Sequence, residues 1–72
     1  MILLRDNNGS FGFHSKQVLN IWQDGEFIKI WLKNGVEVYA TAPSKRVADL
    51  IVGDIWSEEK VSYKLDEVVI KN

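Results

Sequence analysis

Two glycine-bearing turns, Asp24-Gly25 and Asn34-Gly35, punctuate a run of alternating apolar and polar residues in the middle of the chain. Such dipeptides between strand-like segments predict β-hairpins, because the tightest hairpin turns need positive φ at their centre. A two-residue loop at Asp24-Gly25 pairs Trp22 with Phe27, Ile21 with Ile28 and Leu19 with Ile30. The same treatment of the second turn would set Val36, Val38 and Ala40 beside Lys29, Trp31 and Lys33, away from Ile28, Ile30 and Leu32. A three-residue loop, Lys33-Asn34-Gly35, with Gly35 in the left-handed region, instead pairs Leu32 with Val36, Ile30 with Val38 and Ile28 with Ala40. A one-residue slip turns every side chain over, so the register that keeps the aliphatic residues together is the one expected.

Two unlike faces follow. Leu19, Ile21, Ile28, Ile30, Leu32, Val36, Val38 and Ala40 form an aliphatic face, which is the expected core. Val18, Trp22, Phe27, Trp31 and Tyr39 form the other, with Asn20, Lys29, Glu37 and Thr41 among them.

A cover for the aliphatic face comes next in the chain. In SKRVADLIVGDIW, Val47, Ala48, Ile51, Val52 and Ile55 recur at helical spacing, with Leu50 at the flank. Ser44 is placed to cap the helix N-terminus after Pro43, and the helix is expected to run to about Trp56, with Arg46 and Asp49 opposite the stripe. Residues 2–5 and 10–13 read as two short strands around Asn7-Asn8-Gly9. The tail alternates at Val61, Tyr63 and Leu65 and then changes phase at Val68 and Ile70, as a bulge near Asp66-Glu67 would make it do. A helix through Val61, Leu65, Val68 and Val69 also fits that spacing, but the β-branched content favours a strand. The expectation is one α+β domain over residues 1–72: a small antiparallel β-meander packed against one α-helix, with a C-terminal strand.

Size sharpens this picture. A chain of 72 residues is near the lower limit for a self-sufficient core, which at this size rarely supplies more than about 3–5 kcal/mol. There is no Cys to form a disulfide or a thiolate metal site, and the single His14 cannot build a His-rich one. Self-association is the remaining way to add buried surface. The expected setting is cytoplasmic, without a membrane span or a signal peptide. Net charge is −1, divided as six basic against four acidic residues over 1–48 and three against six over 49–72. That balance argues against a generic polyanion binder.

Candidate chemistry is sparse. His14 in FHSK lies beyond a strand end, with no nucleophile-elbow pattern around it. Asp24 and Glu26 share a hairpin tip, and Glu58-Glu59 are neighbours in a loop; neither has the spacing of a calcium loop. The five glycines form no phosphate-binding pattern. No catalytic residue, metal site or cofactor is expected.

The pieces MILL, NNGSFGF, VLNIW, FIKIWLKNGVEV and SKRVADLIVGDI occur in an order that resembles the FlbD family of small bacterial proteins linked to flagella and swarming. The resemblance covers residues 1–55 and implies a compact meander plus helix with a regulatory, non-catalytic role. Residues 58–72 lie beyond the matched part, and no family catalytic motif maps onto this chain.

The aromatic face is thus the candidate site: Trp22, Phe27, Lys29, Trp31 and Tyr39. Three uses fit it. Leu3, Phe11 and Phe13, or the C-terminal strand, could fold over the rings as core. A protein partner, including a second copy of the chain, could dock on them. Single-stranded nucleic acid could stack on the rings with Lys29 and Lys33 at its phosphates.

Overall fold

The computed structural model describes residues 1–72. In chain order the elements are β1 (Ile2–Asp6), β2 (Gly9–Phe13), β3 (Val18–Asp24), β4 (Phe27–Leu32), β5 (Glu37–Thr41), α1 (Lys45–Asp54), β6 (Val61–Lys64) and β7 (Glu67–Lys71). A 3-10 turn at Ser15–Gln17 joins β2 to β3. The fold is α+β, with the strands in two sheets ordered β2-β1-β6 and β3-β4-β5-β7. Every pairing is antiparallel except that of β1 with β6, which is parallel.

The β4–β5 hairpin has the three-residue loop expected of it. Ile30 faces Val38 and Ile28 faces Ala40. Gly35 has φ +90°, a left-handed conformation that a side chain rarely adopts. The Asn34 side chain fixes the turn by accepting the Val36 N–H at 3.0 Å.

The β3–β4 hairpin departs from expectation. Its turn residues are Gly25 and Glu26, so Trp22 faces Lys29 rather than Phe27, and Ile21 faces Ile30 rather than Ile28. Gly25 has φ +60° and Glu26 has none of that character, so glycine takes the first central position, as in a type II′ turn. The partner shifts by two positions, which leaves the division into faces unchanged. A bulge between Val18 and Asn20 then reverses the strand's start. Val18 is buried opposite Leu32, and Leu19, expected in the core, is 66% exposed.

The tail is extended, and its change of phase has a larger cause than a bulge. Strand β6 lies beside β1 in one sheet, whereas β7 lies beside β5 in the other. Residues 65–66 carry the chain across, with Leu65 buried at the crossing.

Ile2, Leu4 and Phe13 of the first sheet, Ile28, Ile30, Val38 and Ala40 of the second, and Ala48 and Ile51 of α1 with Ile55 just past its end meet in one buried cluster. Each large aliphatic side chain buried there contributes about 1.5–3 kcal/mol. Ser44 caps α1, its hydroxyl accepting the Val47 N–H at 3.2 Å, and the helix ends at Asp54, two residues before Trp56. No helix is long and apolar enough to cross a membrane.

The other sheet and the helix therefore both cover the aliphatic side of the four-stranded sheet. Phe13 enters that core, Phe11 packs against it, and Leu3 points to the opposite side of its own strand from Ile2 and Leu4. The expectation that these residues fold over the tryptophans is not met. Hydrophobic periodicity puts Phe11 and Phe13 on the inner face of the first sheet and Leu3 on its outer face, which leaves the aromatic side of the second sheet open.

Candidate functional site

Strand registers place twelve side chains on that open face in three cross-strand rows. Asp24, Phe27, Thr41 and Glu67 form the first; Trp22, Lys29, Tyr39 and Val69 the second; Asn20, Trp31, Glu37 and Lys71 the third. All five expected site residues, Trp22, Phe27, Lys29, Trp31 and Tyr39, share this surface. Val18, expected on the same face, does not lie there, because the bulge turns it inward.

The rings fall into two classes. Trp22 is 51% exposed and Phe27 49%, at the turn end of the β3–β4 hairpin. Trp31 and Tyr39 are half-buried, because cationic side chains lie across them. The Lys29 ammonium sits 4.5 Å from the Trp31 ring centre and 4.8 Å from that of Tyr39. The Lys71 ammonium lies 4.9 Å from the Tyr39 ring centre. Such placements are attractive because the face of an aromatic ring is negative.

Lys29 is also ion-paired to Glu37 at 3.1 Å, and the Tyr39 hydroxyl donates to the same carboxylate oxygen at 2.5 Å. The Tyr39 hydroxyl and, after it, the Glu37 carboxylate hold the Lys29 ammonium above the usual lysine range. The Tyr39 hydrogen bond and then Lys29 hold the Glu37 carboxyl below the usual carboxylate range. Lys29 thus belongs to a neutral, internally satisfied cluster at the centre of the face. A shallow depression of about 300 Å³ lies among Trp22, Phe27, Lys29, Tyr39, Thr41 and Glu67.

Charge is not balanced at the ends. Asp24 and Glu67 share the row of Phe27 and neither makes an ion pair; Lys71 lies in the row at the opposite end, with Lys33 just beyond Trp31, and neither of these makes an ion pair. Reading the sequence alone did not bring Asp24, Glu67, Val69 and Lys71 to this face. For the β7 residues the signal was the phase change after Leu65, which puts Val69 and Lys71 opposite Val68 and Ile70.

Both edges of this sheet are blunted. On β3, the Asn20 side chain accepts the Ile21 N–H at 2.9 Å next to the bulge at Leu19. On β7, the Val68 N–H is taken by the Asp6 carboxylate at 2.8 Å. Bulges and capped edge amides discourage a further strand from pairing there.

The remaining candidates stand apart. His14 is exposed and precedes the 3-10 turn, where its N–H donates to the Gln17 side chain at 2.7 Å. Glu58 and Glu59 are exposed in the loop before β6. No three His, Cys, Asp or Glu side chains converge as a metal cluster would require. Tyr63 donates to Asp54, tying β6 to the end of α1; that bond, aided by burial, pushes the Tyr63 pKa up to about 12.

Comparison with protein-family models, with curated proteins and with solved structures finds no match to this chain.

Proposed function

We propose that this chain is a non-catalytic protein-binding module that docks through the outer face of its four-stranded sheet, with self-association as its use of that face. The observation that carries this reading is the half-exposure of Trp22 and Phe27 on a sheet face that nothing else in the chain covers. Aromatic side chains of this kind are enriched at the centres of protein interfaces, where they fill pockets and exclude water. A 72-residue domain without disulfides also gains more than a larger one from surface buried against a partner.

The competing use, stacking of single-stranded nucleic acid, needs free cations beside the exposed rings. Here the end bearing the exposed rings carries Asp24 and Glu67, and Lys29 is neutralised by Glu37. Phosphates would meet carboxylates first. A regulatory role, which the resemblance of residues 1–55 to the FlbD family implies, and a bacterial or phage cytoplasm, suggested by the small size of the chain, complete the proposal.

The test is native mass by size-exclusion chromatography with light scattering over a wide concentration range, for the wild type and Trp22→Glu. A dimer that the substitution dissociates, with the far-ultraviolet circular dichroism unchanged, is the expected outcome. A chain that stays monomeric and binds a single-stranded oligonucleotide, and loses that binding on Lys29→Ala, would replace this reading.

A further inference from the structure

The charge on the aromatic face runs along the strands. At the end bearing Phe27, the carboxylates of Asp24 and Glu67 lie without ion pairs, and at the end bearing Trp31 Lys71 stands beside Glu37, with Lys33 two positions past Trp31. Between them Lys29 and Glu37 cancel. A face with one acidic and one basic end is self-complementary in one orientation only. Two copies stacked with their strands running the same way would set Asp24 on Glu67, carboxylate on carboxylate, and leave Lys71 over Asn20. Two copies stacked with their strands reversed set each acidic end on a basic one.

We infer that the occupant of this face is a second copy of the same chain, stacked sheet to sheet about a two-fold axis that lies between the sheets and crosses the strands. The inference rests on the reading above that the chain self-associates through this face, and adds the orientation of the second copy and the contacts it makes. A two-fold interface is isologous, so each contact occurs twice. The registers then fix which rows meet. The first row of one copy lies over the third row of the other: Phe27 reaches Trp31 of the second copy, and Glu67 reaches its Lys71. The middle row meets itself, so Trp22 packs beside its own equivalent. Lys29 also meets its equivalent near the axis, and this is tolerable because each ammonium is matched by Glu37 and by two ring faces within its own chain. Stacked sheets align to within about 30°, which keeps these rows in register over so small a face. The blunted edges at Ile21 and Val68 direct the second copy to the face rather than to a continuous sheet.

Charge exchange across the axis tests the inference. Glu67→Lys alone places two like-charged pairs in the dimer, and Lys71→Glu alone does the same with opposite sign. Each variant by itself is expected to dissociate about tenfold more readily or worse, since like charges across an interface are strongly unfavourable. An equimolar mixture is expected to recover a dimer containing one copy of each, because every facing pair is then of opposite sign. Sedimentation velocity of the two variants, separately and mixed, reads this directly, and circular dichroism checks that each is folded. A wild type that is monomeric at every concentration, or a mixture that recovers nothing, overturns the inference. A wild-type dimer that Trp22→Glu dissociates but neither charge substitution weakens also overturns it, while leaving the face as the docking surface.

Discussion

The Asp6 carboxylate and the Val68 amide, 62 positions apart in the chain, are joined by a 2.8 Å hydrogen bond. The other oxygen of Asp6 accepts the N–H groups of Asn8 at 2.8 Å and Gly9 at 3.1 Å. One side chain thus closes the β1–β2 turn and pins that hairpin to the edge of the other sheet.

The same bonds set a pH dependence. The Val68 N–H, followed by those of Asn8 and Gly9, favours the charged form of Asp6 and holds its pKa below the ordinary 3.8. The folded state therefore binds this proton less readily than the unfolded chain, and stability rises with pH through that region. The contribution is complete above about pH 4 and is lost as pH falls through the depressed folded value. Asp6→Asn is expected to lower the melting temperature near neutrality, with the gap to wild type closing in acid below about pH 4. Hydrogen exchange at Val68 should quicken in the variant. A gap independent of pH would refute the assignment.

Tyr63 gives the opposite dependence at the alkaline end. Its folded pKa of about 12 lies above the ordinary 10.0 because its hydroxyl donates to Asp54. The protonated phenol is favoured in the fold, so its contribution is complete below about pH 10 and disappears between about 10 and 12. Tyr63→Phe should remove this alkaline loss and loosen β6 from α1. Absorbance titration of the phenols, compared between wild type and variant, checks the assignment.

Two glycines are expected to respond to alanine with opposite sign. Gly53 lies inside α1 with open space where a methyl group would go, and glycine in a helix interior costs about 0.5–1 kcal/mol relative to alanine. Gly53→Ala should stabilise by about that amount. Gly35→Ala should destabilise by roughly 1 kcal/mol or more, because φ +90° does not suit a side chain. Chemical denaturation of the two variants reads both signs.

The two faces of the central sheet separate stability from association. Ile30 is fully buried, and Ile30→Ala should cost about 2–5 kcal/mol, enough to unfold a domain of this size. Phe27→Ser, on the outer face, should cost about 1 kcal/mol or less while weakening the dimer. Denaturation midpoints against dimer dissociation constants test this separation.

The parts that were legible in the sequence were those decided by neighbours. Gly35 and the alternation on either side of it fixed the β4–β5 register, and Ser44 with the stripe from Val47 to Ile55 fixed the helix. What escaped depended on tertiary partners. Val18 and Leu19 are both apolar, and only the pairing of Val18 with Leu32 decides which one turns inward. Asp24-Gly25 and Gly25-Glu26 are both workable two-residue turns, and choosing the second moved every partner of Trp22 by two positions. The division of the tail between sheets left a local mark, the change of phase at Leu65, but nothing near it says that Val61 will lie beside Ile2. The site residues could be gathered by parity along β3, β4 and β5. The carboxylate and ammonium of Glu67 and Lys71 needed β7 to be placed.

The pairing of β1 with β6 and of β5 with β7 has a consequence for a chain made from one end to the other. The third strand of one sheet and the fourth of the other are both supplied by residues 61–71. Until those residues emerge, β1 and β5 each have an open edge, the crossing Leu65 is missing from the core, and Asp6 has no Val68 to hold. Local hairpins can form early, but both sheets close together in one late step, at a cost in loop-closure entropy that slows folding. Synthesis that stalls before residue 61 therefore yields one hairpin, a three-stranded meander and a helix with nothing to lock them, and the aliphatic face is exposed to other nascent chains.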